Sequence, residues 1–156
     1  MSDIAASADE LRELYRELIL DHARSPRHFG KLDDATHSAS GINPLCGDKL
    51  NIYFRLDENQ RIADACFEGS GCAISVASAS LLTDTVIGMT VKEANRFFEA
   101  VTRSLTGKTE QASVDLGKLR ALQGVKEFPS RVKCATLAWH AMNAALHQDE
   151  GPATTE

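Results

Sequence analysis

The chain has 156 residues and a formal net charge of -5, a size suited to one domain that buries a core without disulfide staples. Its 43% hydrophobic and 25% charged residues are those of an ordinary soluble protein, and no apolar run is long enough to span a bilayer. The acidic balance argues against a nucleic-acid role, because neutralising phosphates requires a basic surface.

The first ten residues are polar and acidic and do not form a signal peptide. A cytoplasmic location is therefore expected, where four cysteines read as ligands, nucleophiles or core residues before they read as disulfides. One domain covering residues 1–156 is expected, with an ordered core over about 10–148 and a disordered tail over 149–156.

Leu11, Leu14, Tyr15, Leu18 and Ile19 recur at helical spacing, and Ser25-Pro26 should end that helix. Its apolar stripe is expected to bury against the body of the domain. From Asp33 to Gly41 the residues are small and polar, a short edge strand at best. The period then changes to two: Leu50, Ile52, Phe54 and Leu56 alternate with polar neighbours, and after the turn Asp57 to Gln60 a second strand returns over Arg61 to Phe67. Gly69-Ser70-Gly71 should break that strand, and the length of the stretch Cys72 to Ile87 favours a helix, its small residues packing closely on the sheet.

Thr90-Val91-Lys92-Glu93 fits a capping box ahead of the stripe Ala94, Phe97, Phe98 and Val101. Ser104 to Ala112 reads as a loop. Ser113 can cap a short helix carrying Leu116, Leu119 and Leu122 and closed by Gly124. Pro129-Ser130 opens a last helix with Ala135, Ala138, Met142, Ala145 and Leu146 on one face. Strands first and helices later make an α+β fold: a small antiparallel sheet of about three strands, packed by helices on one side, with N-terminal and C-terminal helices.

The cysteines stand in three settings. Cys46 lies in a Pro/Gly loop, Asn43-Pro44-Leu45-Cys46-Gly47-Asp48, that sets a thiol and a carboxylate two residues apart. Cys72 follows Gly69-Ser70-Gly71 at a helix start, where free amides and the helix dipole favour the thiolate. Cys134 lies in the first turns of the last helix beside Arg131 and Lys133, whose charges should act in the same direction. Cys66 sits inside the second strand of the hairpin and reads as a spectator.

There is no CxxC, so neither a zinc ribbon nor a thioredoxin-type motif is supported. Taken singly each thiol reads as core filling; together with Asp48 three of them make a Cys3Asp set suited to tetrahedral zinc. The histidines show no HxxxH or HExxH spacing, and no P-loop, dinucleotide fingerprint or nucleophile elbow occurs.

Five separate pieces carry a resemblance. They are Leu14-Tyr15 through Asp21-His22, Pro26 to Gly30, Asn43 to Asp48, Phe67 to Ser75, and Phe128 to Ala135. In this order they resemble the IscU/NifU N-terminal iron-sulfur cluster assembly scaffold superfamily, over roughly Leu11 to Leu146. Lys133 before the last cysteine, where the IscU pattern has histidine, and the segment from about Thr106 to Gly124 make the chain similar to the SufU branch.

That resemblance implies zinc held by Cys46, Asp48, Cys72 and Cys134, and a sulfurtransferase role as persulfide acceptor for a SufS-type cysteine desulfurase, with SufB-type cluster assembly proteins downstream. Cys46 would be the sulfur acceptor and Asp48 would assist it; Arg131 would steady the loop or an anionic persulfide. The expected division of labour has Cys72 and Cys134 as anchors and the Cys46 loop as the mobile half. Two other readings stay open: a scaffold on which a [2Fe-2S] cluster is assembled, and a non-catalytic module whose zinc is structural.

Overall fold

The computed structural model describes residues 8–106, 115–147 and 153–154. Three antiparallel strands form the body of the sheet: β1, His37–Asn43; β2, Asp48–Leu56; and β3, Ile62–Ser70. β2 lies between the other two. The β2 and β3 hairpin follows the period-two pattern, with Leu50, Ile52 and Phe54 buried on the face that Ala65 and Phe67 share. Its register shifts between Arg55 and Leu56 as the chain enters the Asp57 to Gln60 turn. Strand β3 continues through Gly69 and Ser70, two residues further than its glycines suggested.

The stretch before the Cys46 loop is more than an edge strand. β1 pairs with β2 over seven residues, from His37 opposite Phe54 to Asn43 opposite Asp48. Small residues serve here because a helix lies across them: a Cβ on Gly41 would come within 3.1 Å of the Leu137 side chain and 3.3 Å of the Ala141 Cβ. Ala153–Thr154 forms a fourth strand, β4, parallel to β1 at Gly41 and Ile42.

Helix α1, Ala8–Arg24, ends where Ser25-Pro26 requires. Its stripe is only partly covered: Leu18 and Ile19 pack on the core, Leu14 is 61% exposed, and the Leu11 side chain lies outside the described residues. Helix α2, Ala73–Val86, is buried nearly all round, and its serines and alanines admit α1 on one side and α4, Pro129–Leu146, on another. Its serine hydroxyls bond to those neighbours. Ser78 Oγ donates to the Ala135 carbonyl at 2.5 Å and accepts from Trp139 Nε1 at 3.1 Å. Ser80 Oγ meets His22 Nδ1 at 2.7 Å and accepts from the Arg27 amide at 2.8 Å.

Helix α3, Val91–Leu105, begins with the expected capping box: Thr90 Oγ1 accepts from the Glu93 amide at 3.1 Å, and Glu93 Oε1 accepts from the Thr90 amide at 2.9 Å. The leucines at three-residue spacing form a 3-10 helix, Gly117–Val125, whose three residues per turn keep Leu119 and Leu122 on the buried side. Residue 113, expected to cap it, lies outside the described residues, as do 107–112 of the expected loop and most of 149–156. Within the described residues no helix is long and apolar enough to cross a membrane.

His22 is almost wholly buried between α1 and α2. Burial pushes its pKa below the ordinary 6.5, Arg27 and Lys118 add like charge, and Asp21 and Asp84 oppose. The unfolded chain therefore takes up this proton first. The stability that neutral His22 contributes is complete above the unfolded value and is lost as pH falls from there toward the lower folded value. The urea midpoint should fall as pH drops below about 6.5, and His22→Gln, which keeps a hydrogen-bonding group for Ser80, should flatten part of that fall. An identical pH slope in the two proteins would show that His22 carries none of it.

Candidate metal centre

The site is built at one end of the sheet, where β1 hands the chain to β2. Four residues, Pro44 to Gly47, make the turn, and Gly47 takes the left-handed conformation with φ of 73°. Asn43 and Asp48 are thereby cross-strand partners, both with no exposed surface. Cys46 stands exposed at the turn, next to Leu45, which is 67% exposed.

Cys72 is the N-cap of α2, as its position after the glycines suggested. Its side chain makes no cap; the backbone amide donates instead to Asp48 Oδ1 at 2.8 Å. The thiol points to Ser75 Oγ at 3.6 Å. Cys134 enters from α4 and is fully buried, its Sγ 3.2 Å from Cys46 Sγ. That separation is far longer than a disulfide, and both are free thiols.

The ligand atoms of Cys46, Asp48 and Cys134 all lie within 4.8 Å of one another. Four residues nominated from the sequence thus fall into three that converge and a fourth, Cys72, that borders them through its amide and thiol. Cys66 is on the opposite face of β3 from Ala65 and Phe67, away from this convergence. Arg131 is exposed on the first turn of α4 and makes no side-chain hydrogen bond or ion pair among the described residues.

The electrostatics differ from the sequence reading at Cys134. Cationic neighbours were expected to favour the Cys134 thiolate, yet its pKa is raised, first by burial and then by hydrogen bonding with Cys46, Asp48 and Cys72. Arg131 and Lys133 do not offset that burial. Asp48, expected to assist Cys46, is buried and held by several donors. Burial by itself would push its carboxyl up; hydrogen bonds from the Cys72 amide and from Ser75, Cys134 and Asn43 outweigh it and hold the pKa below the ordinary carboxylate value.

Asn43 is the residue that reading the motif alone missed. Its Nδ2 donates to Asp48 Oδ2 at 3.2 Å and to Cys134 Sγ at 3.4 Å. The signal was present in the spacing, since a four-residue turn makes positions 43 and 48 face each other across the hairpin. Gly71 was read only as a strand breaker. A Cβ there would lie 2.6 Å from Asp48 Oδ1, so the turn into α2 sits against the carboxylate because this residue has no side chain.

The donor chemistry fits a soft divalent metal. Tetrahedral zinc with Zn–S of about 2.3 Å and Zn–O of about 2.0 Å places neighbouring ligand atoms roughly 3.5–3.8 Å apart, a spacing the three converging atoms span with little movement. An α+β domain that gathers thiols and a buried carboxylate at the end of a helix-covered sheet is, as a class, a candidate metal-holding domain. The NifU-like N terminal domain family matches residues 14–135, and the chain belongs to that family.

Relatives bear on the finer type. The chain is 41% identical over 141 residues to the Bacillus subtilis (strain 168) protein named zinc-dependent sulfurtransferase SufU, covering 90% of this chain and 95% of that one. It is 39% identical over 137 residues to the Streptococcus pyogenes serotype M1 protein named iron-sulfur cluster assembly scaffold protein IscU, covering 88% and 85%. A crystal structure from Fervidobacterium islandicum AW-1, described as a putative iron-sulfur cluster assembly scaffold protein for the SUF system, superposes with a TM-score of 0.78 at 34% identity. It covers 86% of this chain and 98% of that one.

Gly71→Ala should force the Asp48 carboxylate or the start of α2 to shift. A loss of about 1–3 kcal/mol is expected, read as a lower urea midpoint. A variant as stable as the parent would show that the contact relaxes at no cost.

Proposed function

We propose that this chain is a zinc-dependent sulfurtransferase that accepts persulfide sulfur from a SufS-type cysteine desulfurase during iron-sulfur cluster assembly. The observation that carries this reading is an asymmetry: Cys46 is exposed on a turn, whereas Asp48 and Cys134, whose ligand atoms lie within 4.8 Å of its own, are buried. The similarity to the Bacillus subtilis protein supports it.

Cys46, Asp48, Cys72 and Cys134 would hold the zinc, which when bound keeps thiolates deprotonated and damps their nucleophilicity. Cys72 and Cys134, on the first turns of two packed helices, anchor the site. Cys46 reacts. Its thiolate attacks the terminal sulfur of the desulfurase persulfide; a new S–S bond forms at Cys46, the old one breaks, and its electron pair leaves on the desulfurase cysteine. The exchange is redox-neutral. Leu45 beside Cys46 is exposed, as is Phe128 at the N-cap of α4, and Arg131 on the first turn of that helix would attract an anionic persulfide.

The chain's 39% identity to the Streptococcus pyogenes protein favours a second reading, a scaffold that assembles a [2Fe-2S] cluster on the same thiolates. Lys133 in place of the histidine of the IscU pattern counts against it. Purified protein should carry about one zinc per chain and no iron. Cys46→Ala should abolish stimulation of the desulfurase while circular dichroism stays unchanged. Full stimulation by that variant contradicts the proposal, and rapid cluster transfer from the reconstituted chain to an apo-ferredoxin would favour the scaffold.

A further inference from the structure

We propose that Asn43 is a positioning residue of this centre: its carboxamide ties Asp48 to Cys134 and keeps them assembled while Cys46 departs to react. The inference rests on the zinc reading above and adds a residue that reading does not use. Asn43 ends β1, directly opposite Asp48 across the hairpin, and has no exposed surface. The two hydrogens of Nδ2 go to two different members of the site, Asp48 Oδ2 at 3.2 Å and Cys134 Sγ at 3.4 Å. The other oxygen of Asp48 takes the Cys72 amide at 2.8 Å.

These bonds form a continuous chain from α2 through β2 and β1 to α4. Cys72 amide, Asp48, Asn43 and Cys134 are its members, and Cys46 is not. Among the described residues, the thiol of Cys46 hydrogen-bonds to this chain only through Cys134 Sγ, at 3.2 Å. Removing it from the site breaks none of the bonds that hold the others in place.

Electrostatics point to the same role. Three thiolates and a carboxylate around a divalent ion leave a surplus of two negative charges, and N–H donors to the ligand atoms spread that surplus. Asn43 offers two such donors from one neutral, buried group. Its Oδ1 is buried without a hydrogen-bond partner among the described residues, a costly arrangement that an apolar side chain would avoid. A position that needed only packing would not call for this amide.

Cobalt(II) and zinc(II) binding to wild type, Asn43→Ala, Cys46→Ser and the double variant test the proposal. Zinc affinity is read by competition with a chromophoric chelator, and the cobalt site by its thiolate charge-transfer and d–d absorption. Cys46→Ser, which removes one ligand thiolate, should weaken zinc binding without abolishing it, Asn43→Ala should lose about 10–100-fold in affinity and shift the cobalt d–d envelope, and the double variant should lose more than the two single changes combined. Should Asn43→Ala not fold, Asn43→Ser, which keeps one donor, should fall between it and wild type in affinity and spectrum.

Wild-type affinity and an unaltered cobalt spectrum in Asn43→Ala, or in Asn43→Ser if that variant is needed, overturn the inference alone. A wild-type chain that takes up neither metal overturns the zinc reading and this inference with it.

Discussion

The burial of the Asp48 carboxylate is the constraint on which the rest of this structure turns. A carboxylate with no exposed surface is expensive unless its oxygens are met by donors. Here the donors come from every element that meets at the site. The amide that starts α2 serves one oxygen and the side chain that ends β1 serves the other. Ser75 of α2 and Cys134 of α4 complete the shell. One charged group thereby fixes where two helices and two strands converge.

That convergence explains why thiols distant in sequence share a site. α4 can lie across β1 because Gly41 has no side chain to hold it off, and its approach carries Cys134 to the end of the strand. The start of α2 can sit on Asp48 because Gly71 leaves room. Only the turn from Pro44 to Gly47 stands outside this packing, and it carries Cys46. This contrast between a buried, cross-bonded set and one exposed thiol is the observation on which the proposed sulfur transfer rests.

Much of this was legible in the residues. The alternation over Leu50 to Leu56, the Thr90 to Glu93 box and Pro129 at a helix start are local signals, and each appears where those signals place it. The three-residue spacing of Leu116, Leu119 and Leu122 was itself the mark of the 3-10 helix that forms. Less legible was whatever depends on contact between distant segments. β1 looked weak because its small residues are selected by α4 and not by strand propensity. Leu14 gave the helical period without revealing that it stays exposed. Cys134 was assigned a lowered pKa from its sequence neighbours, whereas burial from α2 and the sheet decides it. Asn43 and Gly71 belong to the site through cross-strand and close-approach geometry, which no motif of adjacent residues displays.

In the proposed zinc site Cys72 joins Cys46, Asp48 and Cys134, the three residues that converge. X-ray absorption at the zinc edge of the purified protein reads the ligand atoms directly. Three sulfurs at about 2.3 Å and one oxygen at about 2.0 Å are expected. A shell with two sulfurs or fewer, or one without oxygen, would contradict it.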